Sequence, residues 1–583
     1  MTTPMRDPRY APAELIVEER GGGEVVLHNP KPIGRVFEHT LGALDHWAGE
    51  APERLWLAER SGEGWRGVTY GEARERVAAL AGGLAALGLP PGAPLLVLAR
   101  NSIDHALLAF AAMSLEIPAA AISPQYGLKG AQPERLAHAA AVIAPGAVFA
   151  DDGEAFAEAL DSPALSGLPV IVGANPRAGE VTVDWLSRQA PSHARPRADA
   201  IAKLLLTSGS TGRPKAVIYL HSGVAVNAAQ VAACYDDPEP PVVVNQAPWS
   251  HSLGANAILQ MVLHRGGTHY IDTGAPVAGR SGETVRNLRE IAPTYHNMVP
   301  AGWDLLAHDL EQDDLLARAF FSRVRVLQYG GAALGQSTCD RIQAVALRTV
   351  GETISFASGY GATETGPTVT NVHWPNARMG LMGLPLPGTT VKLTPMADRL
   401  EFRVKGPQIS PGYYRDPEAS ARARDDEGFY RLGDAARAAT LGDWRGGLVF
   451  DGRLSENFKL SSGVFVNAGA LRVAATSAIG GAAADAVVCG EGESGVGLLI
   501  FAARGDTAAL EDSVRDGLRR YNATAAGGSG RVARALILKG APDPVSGEIT
   551  EKGYINQTIA RARHAADIAR LFADPPGEGV IAL

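Results

Sequence analysis

Residues 204–217 read LLLTSGSTGRPKAV, an apolar run feeding a loop of Thr207, Ser208, Gly209, Ser210, Thr211 and Gly212, then Arg213, Pro214 and Lys215. Glycines let the backbone turn its N–H groups onto an anion, hydroxyls add donors and a lysine adds charge, so the segment suits a polyphosphate. It departs from the G-x-x-x-x-G-K-[ST] pattern of P-loop kinases, because Pro214 precedes the lysine and Ala216 follows it. The bland alternative is a Ser/Gly-rich surface turn, and a loop of this chemistry directly after an apolar strand speaks against it. A second segment, SGYGATETGP at 358–367, also follows an apolar run. Gly359 and Gly361 permit a tight turn, and Thr363 and Glu364 place a hydroxyl and a carboxylate at a strand end, where ligands of α/β sheets bind. A carboxylate there suits Mg²⁺ held on nucleotide phosphates; the competing reading is a Thr/Glu pair that opens a helix.

Loops of this kind need strands that end at them. The chain has 583 residues, 46% hydrophobic and 20% charged, which predicts a folded protein of at least two domains. Thr69 and Tyr70 introduce a helical apolar pattern, and PLLVLA and PAAAIS bracket an alanine-rich helical stretch from Asp104. Apolar runs return at 216–220, 242–246, 268–272, 324–331 and 353–361, so most of the first 400 residues read as a doubly wound α/β unit on a buried parallel sheet. Residues 1–45 read as an extended polar arm. From 380 to 450, short alternating runs between Gly and Pro predict a small β-barrel-like subdomain. After Arg453 the pattern predicts a compact α+β unit, and the expected division is 1–455 and 456–583.

The net charge of −8, without a Lys/Arg-rich block, argues against nucleic acid as partner. Cys234, Cys339 and Cys489 are odd in number and lack CxxC spacing, which fits a reducing, cytoplasmic setting. No stretch reads as a signal peptide or a membrane span.

The two loops, followed in order by YRLGD (430–434), GRLSENFKLSSGVFV (452–466) and the late Lys552, resemble the adenylate-forming superfamily of acyl-CoA synthetases, adenylation domains and luciferases over nearly the whole chain. FKLSSGVFVNAGALR, YGATETGPTVTNVHWP, GFYRLGDAAR and GEITEKGYINQ resemble the feruloyl-CoA synthase branch, which activates 4-hydroxycinnamic acids. The resemblance implies a large N-terminal domain and a small mobile C-terminal lid. Ser208, Ser210, Thr211 and Lys215 would meet the β and γ phosphates of ATP, Thr363 the α-phosphate and Glu364 a Mg²⁺ ion. Tyr360, Gly361 and the backbone of Gly330, Gly331 and Ala332 would line the adenine slot, with Asp434 and Arg453 at the ribose. His251 would gate the reacting carboxylate, and Lys552 would be the catalytic lysine. The hinge position, usually Asp or Lys, is Glu456 here, and Lys552 stands five residues after Gly547 where the family usually has Gly-Lys.

Candidate walls of the acid pocket are His251, Asn256, Tyr295, Met298, Gly359 and Leu384, chosen because they flank the motifs. His221, His296 and His373 read as ordinary hydrogen-bonded histidines, since no HExxH or paired spacing suggests a metal site. The arginines at 561, 563 and 570 read as a solvated helix face, with a site for the 3′-phosphate of coenzyme A as the alternative. The resemblance implies an ATP-dependent acid–CoA ligase with ATP, Mg²⁺, coenzyme A and a small carboxylic acid as ligands, and it leaves a homodimer open. A stand-alone adenylation enzyme that loads a carrier protein shares every motif. Intact Lys215, Glu364, Asp434 and Lys552 argue against a non-catalytic relative.

Overall fold

The computed structural model describes all residues except 1–3, 208–213, 278, 332–333, 397–398, 455–457, 463, 503–506, 526–529, 544–545 and 549–554. Three β-sheets build the large N-terminal part. The first has seven strands in the order Ala216–Leu220, Ile201–Leu206, Ala119–Ala121, Leu95–Leu98, Ala147–Asp152, Val170–Ala174 and Val181–Thr182. All pairs are parallel except Ile201–Leu206 with Ala216–Leu220. Leu95, Leu96, Val97 and Leu98 are each fully buried, as expected of a strand covered on both faces. The helix Tyr70–Ala86 packs on this unit and starts where its chemistry dictates: Thr69 Oγ1 accepts from the Glu72 N–H at 3.2 Å and Glu72 Oε2 accepts from the Thr69 N–H at 2.8 Å.

The second sheet runs Val242–Asn245, Thr268–Ile271, Leu55–Ser61, Gly64–Thr69. The third is continuous over eleven strands. Its parallel part, Tyr295–Met298, Val326–Tyr329 and Ser355–Tyr360, passes through Thr370–Asn371 and Leu381–Pro385 into antiparallel strands Asp443–Arg453, Tyr430–Thr440, Arg399–Lys405 and Thr390–Met396. That antiparallel layer encloses its own core around Leu27, Val391, Leu393, Phe402 and Val404.

The first 45 residues are not a free polar arm. Ile16–Glu19 and Val25–His28 form a hairpin that adds two strands beside Thr390–Met396. The reason is a short apolar run within a polar stretch, Val25-Val26-Leu27, all three buried: Val25 and Leu27 point into the barrel-like core, and a two-stranded hairpin gains stability only against such a layer.

The C-terminal part is an α+β unit. Strands Ala483–Cys489, Val496–Ala502, Val532–Ile537 and Val580–Ala582 form one sheet, with helix Thr507–Thr524 and helices Gln557–Arg563 and Ala565–Phe572. Among the described residues its cores draw on Phe458 and residues after it. The expected boundary and Glu456 fall on 455–457, outside the described residues. Among the described residues no helix is long and apolar enough to cross a membrane.

Burial holds several histidines uncharged: His105, His264 and His269 are pulled down to about 4, and His221 and His296 to about 3. In the unfolded chain these imidazoles take protons near pH 6.5, so stability is full above that pH and is lost as pH falls toward 4. Each histidine should remove about 1 kcal/mol between pH 6.5 and 5.5. The urea midpoint is therefore expected to drop steeply over that interval, and a flat midpoint would contradict the burial of neutral imidazoles.

Candidate active site

The phosphate-loop candidate joins two antiparallel strands. Register pairs Leu206 with Ala216, and beyond it the Thr207 N–H donates to the Lys215 carbonyl at 2.9 Å while the Lys215 N–H donates to Thr207 Oγ1 at 3.1 Å. The ends of the loop are thus clamped together by Thr207 and Lys215. Ser208, Gly209, Ser210, Thr211 and Gly212 lie outside the described residues.

Segment 410–414 runs alongside this hairpin. The Tyr414 N–H donates to the Ala216 carbonyl at 2.8 Å, the Ile218 N–H to the Gly412 carbonyl at 3.0 Å, and Ser410 Oγ to the Ile218 carbonyl at 2.7 Å. This places the Tyr413 ring under Lys215, whose Nζ stands 4.8 Å from the ring centroid, a cation–π contact. The Tyr413 hydroxyl donates to Glu364 Oε1 at 3.0 Å and lies 2.8 Å from the Tyr430 hydroxyl. Lys215 and Glu364 are therefore brought together across one tyrosine.

Thr363–Thr365 forms a single 3-10 turn at the end of strand Ser355–Tyr360. Its capping hydroxyl is that of Thr365, which accepts from the Ala362 N–H at 2.8 Å, so Thr363 is not spent on capping. The turn is held from outside: Tyr219 donates to the Thr363 carbonyl, and the Ser410 N–H donates to the Glu364 carbonyl at 3.0 Å. Gly361 is required by contact, since an added Cβ would overlap the Pro367 carbonyl.

Strand Tyr430–Thr440 carries the second half of the site. Four residues after Tyr430, Asp434 is 5% exposed, accepts from the Tyr360 hydroxyl on Oδ2 and pairs with Arg453 Nε on Oδ1 at 3.2 Å. Arg453 is its register partner on the neighbouring strand. Burial, and then the charge of Asp434, push the Tyr360 phenol well above its ordinary range, so it stays a donor. Tyr413 and Tyr430 are raised in the same way, by burial first and then by Glu364. A carboxylate with two acceptor oxygens fits a pair of adjacent ribose hydroxyls, and Glu364 beside a phosphate loop fits Mg²⁺, which takes one or two protein carboxylates and fills its shell from phosphate and water.

Strand Val326–Tyr329 ends in Gly330 and Gly331, the latter at φ +85, a conformation that favours glycine. An added Cβ at Gly330 would lie 3.4 Å from the Leu253 side chain, so this turn borders the turn that follows His251. Ala332 lies outside the described residues. His251 is half-buried; its N–H donates to the Pro248 carbonyl at 3.1 Å, and it leads into the π-helical turn Leu253–Ile258.

The expected acid-pocket walls divide. Gly359, Asn371 and Leu384 form one row across three adjacent strands, so Gly359 and Leu384 share a neighbour. Tyr295 donates to Gln328 Oε1 on the face it shares with Asn297, whose Nδ2 donates to the same oxygen at 2.8 Å. Met298 is not on that face. The period of two along Tyr295–Met298 turns it with His296 toward helix Pro300–Gln312, where it packs with Trp303 and Leu306. Asn256 is buried, with Oδ1 accepting from Lys203 Nζ at 3.0 Å. Lys552 lies outside the described residues.

Sequence reasoning missed Tyr219, Tyr413, Tyr430 and Lys203 as organisers of the site. Tyr430 stood inside the quoted segment YRLGD, where a tyrosine close to a motif acid was the available signal.

With this geometry described, comparison with known proteins gives the class. A family model for AMP-binding enzymes matches residues 44–414, well over half of the chain, and the chain belongs to that family of adenylate-forming enzymes. Among curated relatives, a carboxylic acid reductase of Mycobacterium marinum is 27% identical over 445 residues, 68% of this chain and 37% of the relative. A feruloyl-CoA synthase of an Amycolatopsis species is 28% identical over 386 residues, 64% of this chain and 72% of the relative. The chain thus spans little more than a third of the reductase it matches. Among solved structures, the adenylation domain of a Mycobacterium chelonae carboxylate reductase superposes with a TM-score of 0.76 at 21% identity, covering 93% of this chain and 92% of that one. This likeness establishes the fold, a large N-terminal α/β part with a smaller C-terminal one.

Tyr430→Phe should cost about 1 kcal/mol of stability by removing the donor to the Tyr413 oxygen, which keeps its own bond to Glu364. Tyr414→Phe, one residue from the same cluster, is the control. Equal urea midpoints for the two variants would show that the tyrosine pair carries no load.

Proposed function

We propose that the chain activates a carboxylic acid with ATP, releasing pyrophosphate and forming an acyl adenylate, and then passes the acyl group to the thiol of coenzyme A. The observation that carries this reading is the alignment of two pairs along one strand: Lys215 and Glu364 bridged by Tyr413 next to Tyr430, and Tyr360 and Arg453 on Asp434. The first pair suits phosphates and the second suits a ribose, at the spacing that four strand residues give.

A carboxylate is a poor acyl donor because its oxygen leaves badly. In-line attack of that oxygen on the α-phosphorus shifts charge onto the departing pyrophosphate, and cations fixed in advance lower the barrier. Lys215 supplies one such charge. Mg²⁺, when bound, would neutralise phosphate charge, and Glu364 is the residue suited to hold it. Thr363 is assigned to the α-phosphate. Lys552 is assigned to the adenylation step from the C-terminal part, which would rotate about Glu456 for thioester formation. The domain division at 455/456 belongs to the same proposal.

For the acid we propose a planar aromatic one of the hydroxycinnamic type. The feruloyl-CoA synthase and 4-coumarate–CoA ligase relatives support this. One alternative shares every motif, transfer to a carrier-protein thiol in place of coenzyme A.

The test supplies ATP, Mg²⁺ and coenzyme A with ferulate, 4-coumarate, benzoate, octanoate or no acid, and measures AMP and thioester. Thioester from the cinnamic acids alone is expected. Pyrophosphate release without thioester would move the acceptor to a carrier protein, and the absence of any acid-dependent AMP would refute the reading. Lys552→Ala should lower adenylation at least a hundredfold while sparing thioester formation from preformed adenylate. Equal loss of both steps would remove Lys552 from its assigned role.

A further inference from the structure

One charged group has no part in the chemistry above. Lys203, in strand Ile201–Leu206, is 6% exposed, and among the described residues no carboxylate lies within ion-pair range of it. Its Nζ donates instead to two neutral acceptors, the Ala255 carbonyl at 3.2 Å and Asn256 Oδ1 at 3.0 Å. Both belong to the π-helical turn Leu253–Ile258, in which the Leu259 N–H reaches back to the Gly254 carbonyl. A widened turn of this kind leaves carbonyls to be satisfied from outside the helix, and Lys203 satisfies one.

The contact continues beyond Asn256. The Tyr219 hydroxyl faces the side chains of Asn256 and Ser252 and donates to the Thr363 carbonyl. Lys203, Asn256, Tyr219 and the Thr363 backbone therefore form a buried path from the turn after His251 to the Thr363–Glu364 turn. These are the two turns whose relative position decides whether an acid oxygen can reach an α-phosphorus, and sub-ångström errors there are costly in rate.

We propose that Lys203 is a positioning residue for acid activation, fixing the turn that follows His251 against the Thr363–Glu364 turn through Asn256 and Tyr219. The inference rests on the assignment of those turns to acid and nucleotide. A buried ammonium that meets only neutral acceptors is a costly core filler, and an apolar side chain of similar length would avoid that cost.

Burial pulls the Lys203 ammonium down to about 7. The groups facing it from the packed elements are His105 on helix Ile103–Ser114, His221 at the start of helix His221–Ala232, with His39 beyond it, and Tyr219 on the neighbouring strand, with Glu364 beyond that. Burial holds His105 at about 4 and His221 at about 3 and keeps the Tyr219 phenol protonated, so among these three and Lys203 it is Lys203 that changes charge near neutrality. Because the unfolded chain keeps that proton until about pH 10.4, the folded state binds fewer protons between 7 and 10.4, and stability conferred by the wild-type residue rises with pH over that window.

The test compares the full chain with its Lys203→Met variant. Amide hydrogen exchange of the free proteins at pH 6.5 and 8.5, corrected for intrinsic rates, should show residues 253–259 exchanging about tenfold faster in the variant, with helix Gln336–Val350 unchanged. With ferulate, or whichever acid of the panel turns over, the variant should raise KM for the acid about tenfold and leave KM for ATP within about twofold. In the wild type, KM for the acid should rise about threefold from pH 6.5 to 8.5 as charge-assisted bonds become neutral ones, and the variant should show no such rise. Unchanged exchange at 253–259, a uniform loss of protection with a lower Tm, or parallel rises in both KM values would each overturn the proposal. If no acid turns over, the functional reading fails by itself and the exchange data still decide the role of Lys203.

Discussion

A phenol buried in an apolar interior keeps its proton and must find an acceptor. Four tyrosines of this chain find theirs on the same few atoms: Tyr219 on the Thr363 carbonyl, Tyr413 on Glu364, Tyr430 on Tyr413, and Tyr360 on Asp434. Burial raises every one of these phenols, so each remains a donor at neutral pH. An unmade bond at any of them would leave a desolvated hydroxyl or a desolvated carboxylate, each costing about 1 to 3 kcal/mol. The Thr363–Glu364 turn and Asp434 are held where they are by this requirement.

The backbone makes that convergence available. Strands Tyr295–Met298, Val326–Tyr329 and Ser355–Tyr360 run parallel, and their C-terminal ends deliver Gly330, Gly331 and the Tyr360–Glu364 segment to one edge, the usual binding edge of such sheets. The eleven-stranded sheet then turns antiparallel and returns Tyr430–Thr440 to that edge with Asp434. The hairpin of Ile201–Leu206 and Ala216–Leu220, at the edge of the seven-stranded sheet, brings Lys215 from the other side and is stitched in place by segment 410–414. The candidate site thus lies where two sheets meet, with tyrosines as spacers between charged side chains.

Much of this was readable from residue order. Apolar runs ending in Gly, Ser and Thr announced the loops, and YRLGD announced the acid that the structure pairs with Tyr360 and Arg453. Local patterns were silent on what depends on distant partners. The run Val25-Val26-Leu27 lies in a stretch read as a polar arm, and only the edge of Thr390–Met396 makes it a strand. Met298 flanks a motif in the chain, yet the two-residue period of its strand sends it to the helix-packed face. Lys203 looked like one lysine among nine, and only its burial against Ala255 and Asn256 marks it out.

A crystal structure of the chain grown with ATP and Mg²⁺ tests the central claim most directly. The account predicts ribose hydroxyls on Asp434, phosphates between Lys215 and Glu364, and the adenine beside Tyr360 and Gly330. Nucleotide bound away from the tyrosine cluster, or ribose and phosphates exchanged between the two halves of the site, would contradict it.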